Sequence, residues 1–255
     1  MNPDWQFRYD EALLAVREAG KVALRYFDTD LVIETKADAS PVTVADRETE
    51  QSLRSRLLQS FPDDGFLGEE FGKAAGASGY RWIIDPIDGT RSFIRGIPMW
   101  ATLVGLEFQG ELIAGFAYNP ALEQMHHALR GQGAYRNDRP IAVTRTSTLD
   151  RAMIAYSSLD YFKDERRPPL DHLLKASDRS RGYCDYYGFM LVAQGSVDLM
   201  IDHGVHIWDI AGLKVIVEEA GGSFSDWSGG SDLERPDVLA SNGTLHDAAL
   251  AILRR

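Results

Sequence analysis

The nine residues Trp82-Ile83-Ile84-Asp85-Pro86-Ile87-Asp88-Gly89-Thr90 decide how this chain is read, because an apolar run ends there in two carboxylates and a turn. Trp82 to Ile84 has the pattern of a short buried strand, after which Pro86 removes a ladder donor and Gly89 permits a left-handed turn. Asp85 and Asp88 are therefore expected at the C-terminal end of that strand, where open α/β sheets collect their ligands. Asp, Pro and Gly are also ordinary turn residues, so the stretch by itself leaves a plain turn open.

A second acidic cluster upstream, Gly68-Glu69-Glu70, follows another apolar stretch, Gly65-Phe66-Leu67. Two acidic strand ends this close suggest convergence on one cleft. Carboxylates ~4 Å apart repel by roughly 4 kcal/mol per pair at an effective dielectric of about 20, so a gathered set needs protons or cations. A bound metal is the simpler remedy.

The rest of the composition sets the context. A chain of 255 residues with 44% hydrophobic content has material for one large domain or two intimate halves. Twenty-seven basic against 38 acidic residues leave a formal charge of -11, which disfavours nucleic acid and anionic membrane as partners. Cys184 is the one cysteine, so neither an internal disulfide nor a thiolate metal cluster is expected. The start of the chain lacks the basic and apolar regions of a signal peptide, and no stretch approaches ~18 apolar residues. A soluble protein of the reducing cytoplasm is the expectation.

Spacing along the chain predicts a helix over 7–27, a strand at 31–34 and a loop at 36–41. Thr43 with Asp46 three residues on resembles a capping box opening a helix to about Ser60. Residues 99–108, 112–118 and 125–128 read as an antiparallel meander, and Gly131-Gln132-Gly133 as a hairpin turn rather than a dinucleotide fingerprint. Beyond residue 143 come a helix at 187–194, a strand at 197–201, a helix carrying Asp209 in its first turn and closed by Gly221-Gly222, and a final helix at 245–253. No repeat or linker interrupts the chain. A boundary near residue 143 would divide an N-terminal half, 1–143, from a C-terminal half, 144–255.

Glu69, Asp85, Asp88 and Asp209 each sit at a strand end or helix start, and oxygen-only ligation favours Mg²⁺ or Mn²⁺ over zinc. Asp202, His203, His206 and Asp209 tempt a nitrogen-rich metal site, but Val205 to Trp208 reads as a strand or loop whose groups point to different faces. The dehalogenase-type phosphatases use Asp-x-Asp-Gly-Thr, in which the aspartates share a face at i and i+2. Here Pro86 and Ile87 separate them. Gly-x-Ser-x-Gly and His-Glu-x-x-His are absent, and neither Gly20-Lys21 nor Gly72-Lys73 is followed by the Ser or Thr of a Walker loop.

Taken together, Gly68-Glu69-Glu70, Trp82 to Thr90 with Phe93, Gly96 and Pro98, and Trp208-Asp209-Ile210-Ala211-Gly212 with Glu219-Ala220-Gly221-Gly222 resemble the inositol monophosphatase superfamily of lithium-sensitive, metal-dependent phosphatases. With 36–46 these motifs span nearly the whole chain, in family order. The resemblance implies an α/β fold, the layered αβαβα sandwich of the inositol monophosphatase/fructose-1,6-bisphosphatase type, and commonly a homodimer. It implies two Mg²⁺ ions, replaceable by Mn²⁺: one held by Glu69, Asp85 and the Ile87 carbonyl, the second by Asp85, Asp88 and Asp209, with a third, weaker ion near Glu69. Thr90 and Asp46 would position and help deprotonate the attacking water, and amides around Gly89 and Thr90 would receive phosphate oxygens.

The substrate implied is a small phosphate monoester. Asp88-Gly89-Thr90-Arg91-Ser92-Phe93-Ile94, Gly96 to Leu103 and Arg181-Gly182-Tyr183-Cys184-Asp185-Tyr186 look most like the bacterial histidinol-phosphate phosphatase branch, which serves histidine biosynthesis. Asp185 would then pair with a substrate ammonium, and Asp202 aligns with an acidic substrate contact of the inositol enzymes. The stretch His203-Gly204-Val205-His206 is closer to the inositol phosphatases, so inositol 1-phosphate and other sugar or nucleotide monophosphates remain alternatives. A dehalogenase-type phosphatase and a non-catalytic metal-binding protein are the readings from other classes.

Overall fold

A computed structural model of the protein describes residues 2–30, 32–35, 41–182 and 185–254. Helix α1 (Pro3–Leu24) starts where Asn2 accepts the Asp4 N–H at 3.0 Å and Pro3 takes the first helical position. Periodicity alone placed that start at Phe7, because the cap lies outside the repeat of buried residues that begins with Tyr9 and Ala12. Strands β1 (Ile33–Thr35) and β2 (Pro41–Thr43) form a two-stranded ribbon. Leu31 and the expected loop at 36–40 lie outside the described residues.

The expected capping box opens α2 (Val44–Ser60): Thr43 Oγ1 accepts the Ala45 N–H at 3.1 Å and Asp46 Oδ2 accepts the Thr43 N–H at 2.7 Å. Then follow β3 (Gly65–Gly68), β4 (Gly72–Ala74), β5 (Tyr80–Asp88), the single turn α3 (Thr90–Phe93), β6 (Ala101–Phe108), β7 (Glu111–Asn119), β8 (Gln124–Leu129), β9 (Ala134–Arg136) and β10 (Arg139–Ile141). Among the described residues these strands form one eight-stranded sheet, ordered β10-β9-β8-β7-β6-β5-β3-β4. The meander is β6 to β8, residues 131–133 turn between β8 and β9, and β3 runs parallel to β5.

The second half contributes β11 (Met153–Tyr156), α4 (Arg167–Ala176), β12 (Arg179–Gly182), α5 (Asp185–Ala193), β13 (Leu199–His203), α6 (Ile207–Glu219), β14 (Ser223–Ser225), β15 (Asp237–Ser241) and α7 (His246–Leu253). Their sheet is ordered β12-β11-β13-β15-β14, with β11 parallel to both its neighbours and the remaining pairs antiparallel. The expectation of strand or loop over 205–208 is corrected. Helix α6 already begins at Ile207, because Asp209 Oδ2 accepts the His206 N–H at 2.7 Å and closes the helix start.

Packing arranges these elements in five layers. Helices α1 and α2 cover one face of the large sheet around Trp82, Ile84 and Phe116; α5 and α6 lie between the sheets; α4 and α7 cover the far face of the smaller sheet. This is the αβαβα sandwich. Helix α6 is mostly apolar, with Ile210, Leu213, Ile216 and Val217 buried between the two sheets and its later charges, Lys214, Glu218 and Glu219, half-buried. Burying each such side chain contributes about 1.5–3 kcal/mol. Its backbone touches the large sheet directly: a Cβ on Gly115 would lie 2.0 Å from the Gly212 carbonyl oxygen. Both glycines are needed for that approach. No helix among the described residues is long and apolar enough to cross a membrane.

Candidate active site

A cleft of about 380 Å³ gathers the ends of β5, α3, α5, β13 and α6. Glu69, Asp85, Ile87, Asp88, Gly89, Thr90, Asp185, Asp202 and Asp209 all line it. Asp46 stands behind that wall, 1% exposed, with Oδ1 3.5 Å from Thr90 Oγ1. The sequence-predicted residues thus converge from two sheets and four helix starts.

Strand β5 explains how two aspartates three residues apart face one cleft. It does not end at Ile84, as the Pro86 signal suggested, but continues to Asp88 across a register shift between the Asp85–Leu103 and Asp88–Ala101 pairs. Pro86 falls inside the shift, where its missing N–H breaks no ladder. The irregularity re-aims one carboxylate, so Asp85 and Asp88 point the same way where a regular strand would place i and i+3 on opposite faces. Asp85 Oδ1 accepts the Ile87 N–H at 3.0 Å, Thr102 Oγ1 donates to the Pro86 oxygen at 2.9 Å, and Thr90 Oγ1 donates to the Ile87 oxygen at 2.9 Å. Gly89 completes the turn at φ +82°, and a Cβ there would lie 2.7 Å from the Met99 oxygen.

Carboxylate oxygens of Asp85, Asp88 and Asp209 lie within 4.8 Å of one another. Burial pushes Asp85 and Asp88 well above the usual carboxylate range, reinforced by Glu69 beside Asp85 and by Asp185 and Asp209 beside Asp88. Burial raises Asp46 and Asp209 to about 7, with Glu69 and Glu70 adding to the first and Glu69 and Asp185 to the second. In Asp46, hydrogen bonds from Thr43 oppose the rise. Such a set is held together by protons or by a cation, and an all-oxygen donor set of this spacing fits Mg²⁺ or Mn²⁺. His203 and His206 also line the cleft, but the group close enough to share an ion is formed by carboxylates.

Further along the cleft lie two more carboxylates. Asp202, 4% exposed and hydrogen-bonded by Ser157, is raised to about 8 by burial; Asp185 is raised by burial to about 6, with Arg91 opposing the rise. Arg91 also lies near Tyr161, whose hydroxyl is pushed upward by burial and Asp185 while Arg91 opposes the rise. Arg91 and Tyr161 were not singled out from sequence as site residues. Adjacency to Thr90 was a signal for Arg91, whereas Tyr161 arrives on a short 3₁₀ turn, Leu159–Tyr161, that carries no motif. Of the substrate segment 181–186, Tyr183 and Cys184 lie outside the described residues.

Comparison with known proteins follows this geometry. The model of the inositol monophosphatase family matches residues 4–255. A histidinol-phosphatase of Chlorobaculum parvum is 40% identical over 243 residues, covering 94% of this chain and 92% of that protein. An inositol-1-monophosphatase of Mesorhizobium japonicum is 33% identical over 249 residues, covering 94% of each. Among solved structures, the extragenic suppressor protein SuhB of Bartonella henselae superposes with a TM-score of 0.89 at 30% identity, covering 96% of this chain and 98% of that one.

Proposed function

The chain belongs to the inositol monophosphatase family, and we propose that it is a Mg²⁺-dependent phosphatase whose substrate is L-histidinol phosphate. Glu69, Asp85 and the Ile87 carbonyl would hold one cation, Asp85, Asp88 and Asp209 a second, with a weaker third near Glu69. When bound, the ions supply Lewis-acid chemistry, lowering the pKa of water and stabilising the attacking and leaving oxygens.

The chain's own residues orient the attack. The amides at Gly89 and Thr90 receive phosphate oxygens. Thr90 Oγ1 spends its single hydrogen on the Ile87 oxygen at 2.9 Å, which leaves its lone pairs to hold a water O–H. Asp46, whose Oδ2 is fixed by Thr43, presents Oδ1 3.5 Å from Thr90 Oγ1 as the group that takes the water proton. A P–O bond forms to that water as its proton passes to Asp46, the ester P–O bond breaks, and the leaving alkoxide takes a proton from solvent, to which Asp46 later returns its own. No enzyme–phosphate bond is made.

The choice of alcohol is carried by one observation: Asp185 and Asp202 lie beyond the cation cluster, with Arg91 beside Asp185. Arg91 opposes the rise of Asp185 but not that of Asp202, so a cationic group entering here would draw both into the ionised form. That suits an alcohol carrying an ammonium and an imidazole, whereas inositol offers only hydroxyls. Inositol 1-phosphate stays as the second reading because Asp202 suits a hydroxyl contact and inositol-1-monophosphatases are similar over nearly the whole chain. The test is kcat/KM for the two esters, with a preference of about tenfold or more for histidinol phosphate expected. A strong preference for inositol 1-phosphate would reject the assignment.

A further inference from the structure

Glu50 is a charged side chain with no exposure at all, and it has no part in the chemistry described so far. It lies one turn after Asp46 on α2, so the two share a helix face. Its carboxylate accepts the Glu70 N–H at 2.8 Å and the Phe71 N–H at 3.4 Å, and it pairs with Arg54 at 2.8 Å. Arg54 in turn donates to the Gly72 oxygen at 2.6 Å. One ion pair therefore holds both donors and an acceptor of the turn between β3 and β4.

Glu69 lies in that turn. Its own N–H is fixed from the other side by the Ile84 oxygen at 3.1 Å, one residue before Asp85. The fit around Glu50 is tight: a Cβ on Gly68 would lie 1.9 Å from Glu50 Oε1 and 2.4 Å from Cδ, so only glycine leaves room for the carboxylate. Burying an ion pair is costly and gains little stability over an apolar substitute, so its retention here calls for another role.

We propose that Glu50 is a positioning residue for the Glu69 arm of the cation site. The α2 helix fixes Asp46 directly and, through Glu50, fixes the backbone that carries Glu69. The Asp46 and Glu69 arms thus take their spacing from one helical turn. This inference rests on the reading of Glu69 as a cation ligand.

The experiment measures Mn²⁺ binding to the substrate-free full chain by electron paramagnetic resonance, alongside the Mg²⁺ dependence of turnover. Glu50→Gln should weaken Mn²⁺ binding and raise the half-saturating Mg²⁺ concentration by about 10- to 100-fold, as lost outer support of a metal ligand does elsewhere. Glu50→Asp keeps the charge, shortens the reach by one methylene and should fall between Glu50→Gln and wild type; it carries the test if the first variant does not fold. Asp64→Asn is the control for general loosening, because Asp64 is buried and bound by Arg8 and Trp82 away from this turn. It should lower Tm and leave Mn²⁺ affinity unchanged.

Wild-type affinity in the Glu50 variants, or an equal affinity loss in Asp64→Asn, overturns the inference. Glu69→Gln separates the two levels. If it weakens binding while the Glu50 variants do not, positioning alone is wrong; if it leaves binding unchanged, the ligand reading falls with it.

Discussion

Thr90 and Asp46, 44 residues apart, meet at 3.5 Å between Oγ1 and Oδ1, while Thr90 keeps a closer partner at 2.9 Å in the Ile87 oxygen. The hydroxyl's hydrogen goes to the nearer acceptor, which leaves Asp46 Oδ1 without a donor from Thr90. Thr43 occupies the other oxygen through both its N–H and its hydroxyl. The carboxylate is therefore held at one oxygen and available at the other.

Replacing Thr90 by Val preserves shape and removes the hydroxyl. We expect kcat to fall by about 10²- to 10⁴-fold, the range of a lost general-base arrangement. The half-saturating Mg²⁺ concentration should stay within about threefold of wild type. Thr90→Ser should recover most of the activity. A Val variant with normal kcat would remove this pair from the mechanism.

Asp88→Asn tests the cation site with the fold kept in place. The Asn oxygen can still accept the Tyr186 N–H, now at 2.8 Å from Asp88 Oδ2, so helix α5 keeps its start. Turnover should drop by at least about 10²-fold. Without divalent cation, Tm should rise because one member of a mutually repelling buried set has lost its charge. A fully active variant contradicts the assignment of Asp88.

Metal-free protein should lose stability as pH rises from about 4 to about 8, with the slope fading as the folded carboxyls titrate. Asp46 and Asp209 titrate at about 7 and Asp202 at about 8 in the folded chain, well above their unfolded values near 3.8. The folded state therefore binds more protons than the unfolded state through this window, and stability falls as pH rises. Saturating Mg²⁺ should flatten the slope by replacing those protons. Thermal unfolding at several pH values, with EDTA or with Mg²⁺, measures both limbs; a metal-free Tm that climbs toward pH 8 contradicts the cluster's electrostatics.

His126, away from the cleft, adds a contribution of the opposite sign on the acid side. Burial lowers its pKa to about 4, although the Gln194 contact works in the opposite sense. Between 6.5 and 4 the unfolded chain binds the extra proton, so stability falls as pH falls, by about 3 kcal/mol over the whole window. His126→Gln should remove that increment from the difference between variant and wild type. Denaturant unfolding at pH 7 and pH 4.5 checks it; parallel losses in both proteins would exclude His126 as the source.

Much of the site was legible because its residues carry positional signals. The Thr43 and Asp46 spacing is a helix cap, and the acidic endings of β3 and β5 interrupt apolar runs. The shape of β5 was not legible: Pro86 is ordinarily a strand stop, and that it could sit in a register shift depends on its pairing with β6, which local sequence does not contain. The start of α6 was blurred at Ile207 and Trp208 because the alternation from Val205 to Trp208 reads as extended chain and His206 is not a usual N-cap residue. Glu50 passed unnoticed for another reason. A glutamate in mid-helix reads as a solvated charge until the turn it grips is folded beneath it.

With the Gly212 backbone pressed on Gly115, α6 meets the large sheet backbone to backbone at that point, and Asp209 one turn earlier inherits a fixed distance from Asp85 and Asp88. Asp185 stands at the start of α5, and Tyr161 and residues 203–206 belong to the smaller sheet or its loops, all outside that contact. Mutation can therefore reshape the pocket for a new alcohol while the hydrolytic end stays in register. Random libraries confined to those loop positions should yield catalysts with altered preference at high frequency, whereas the same mutational load placed along the glycine seam should yield mostly dead enzymes.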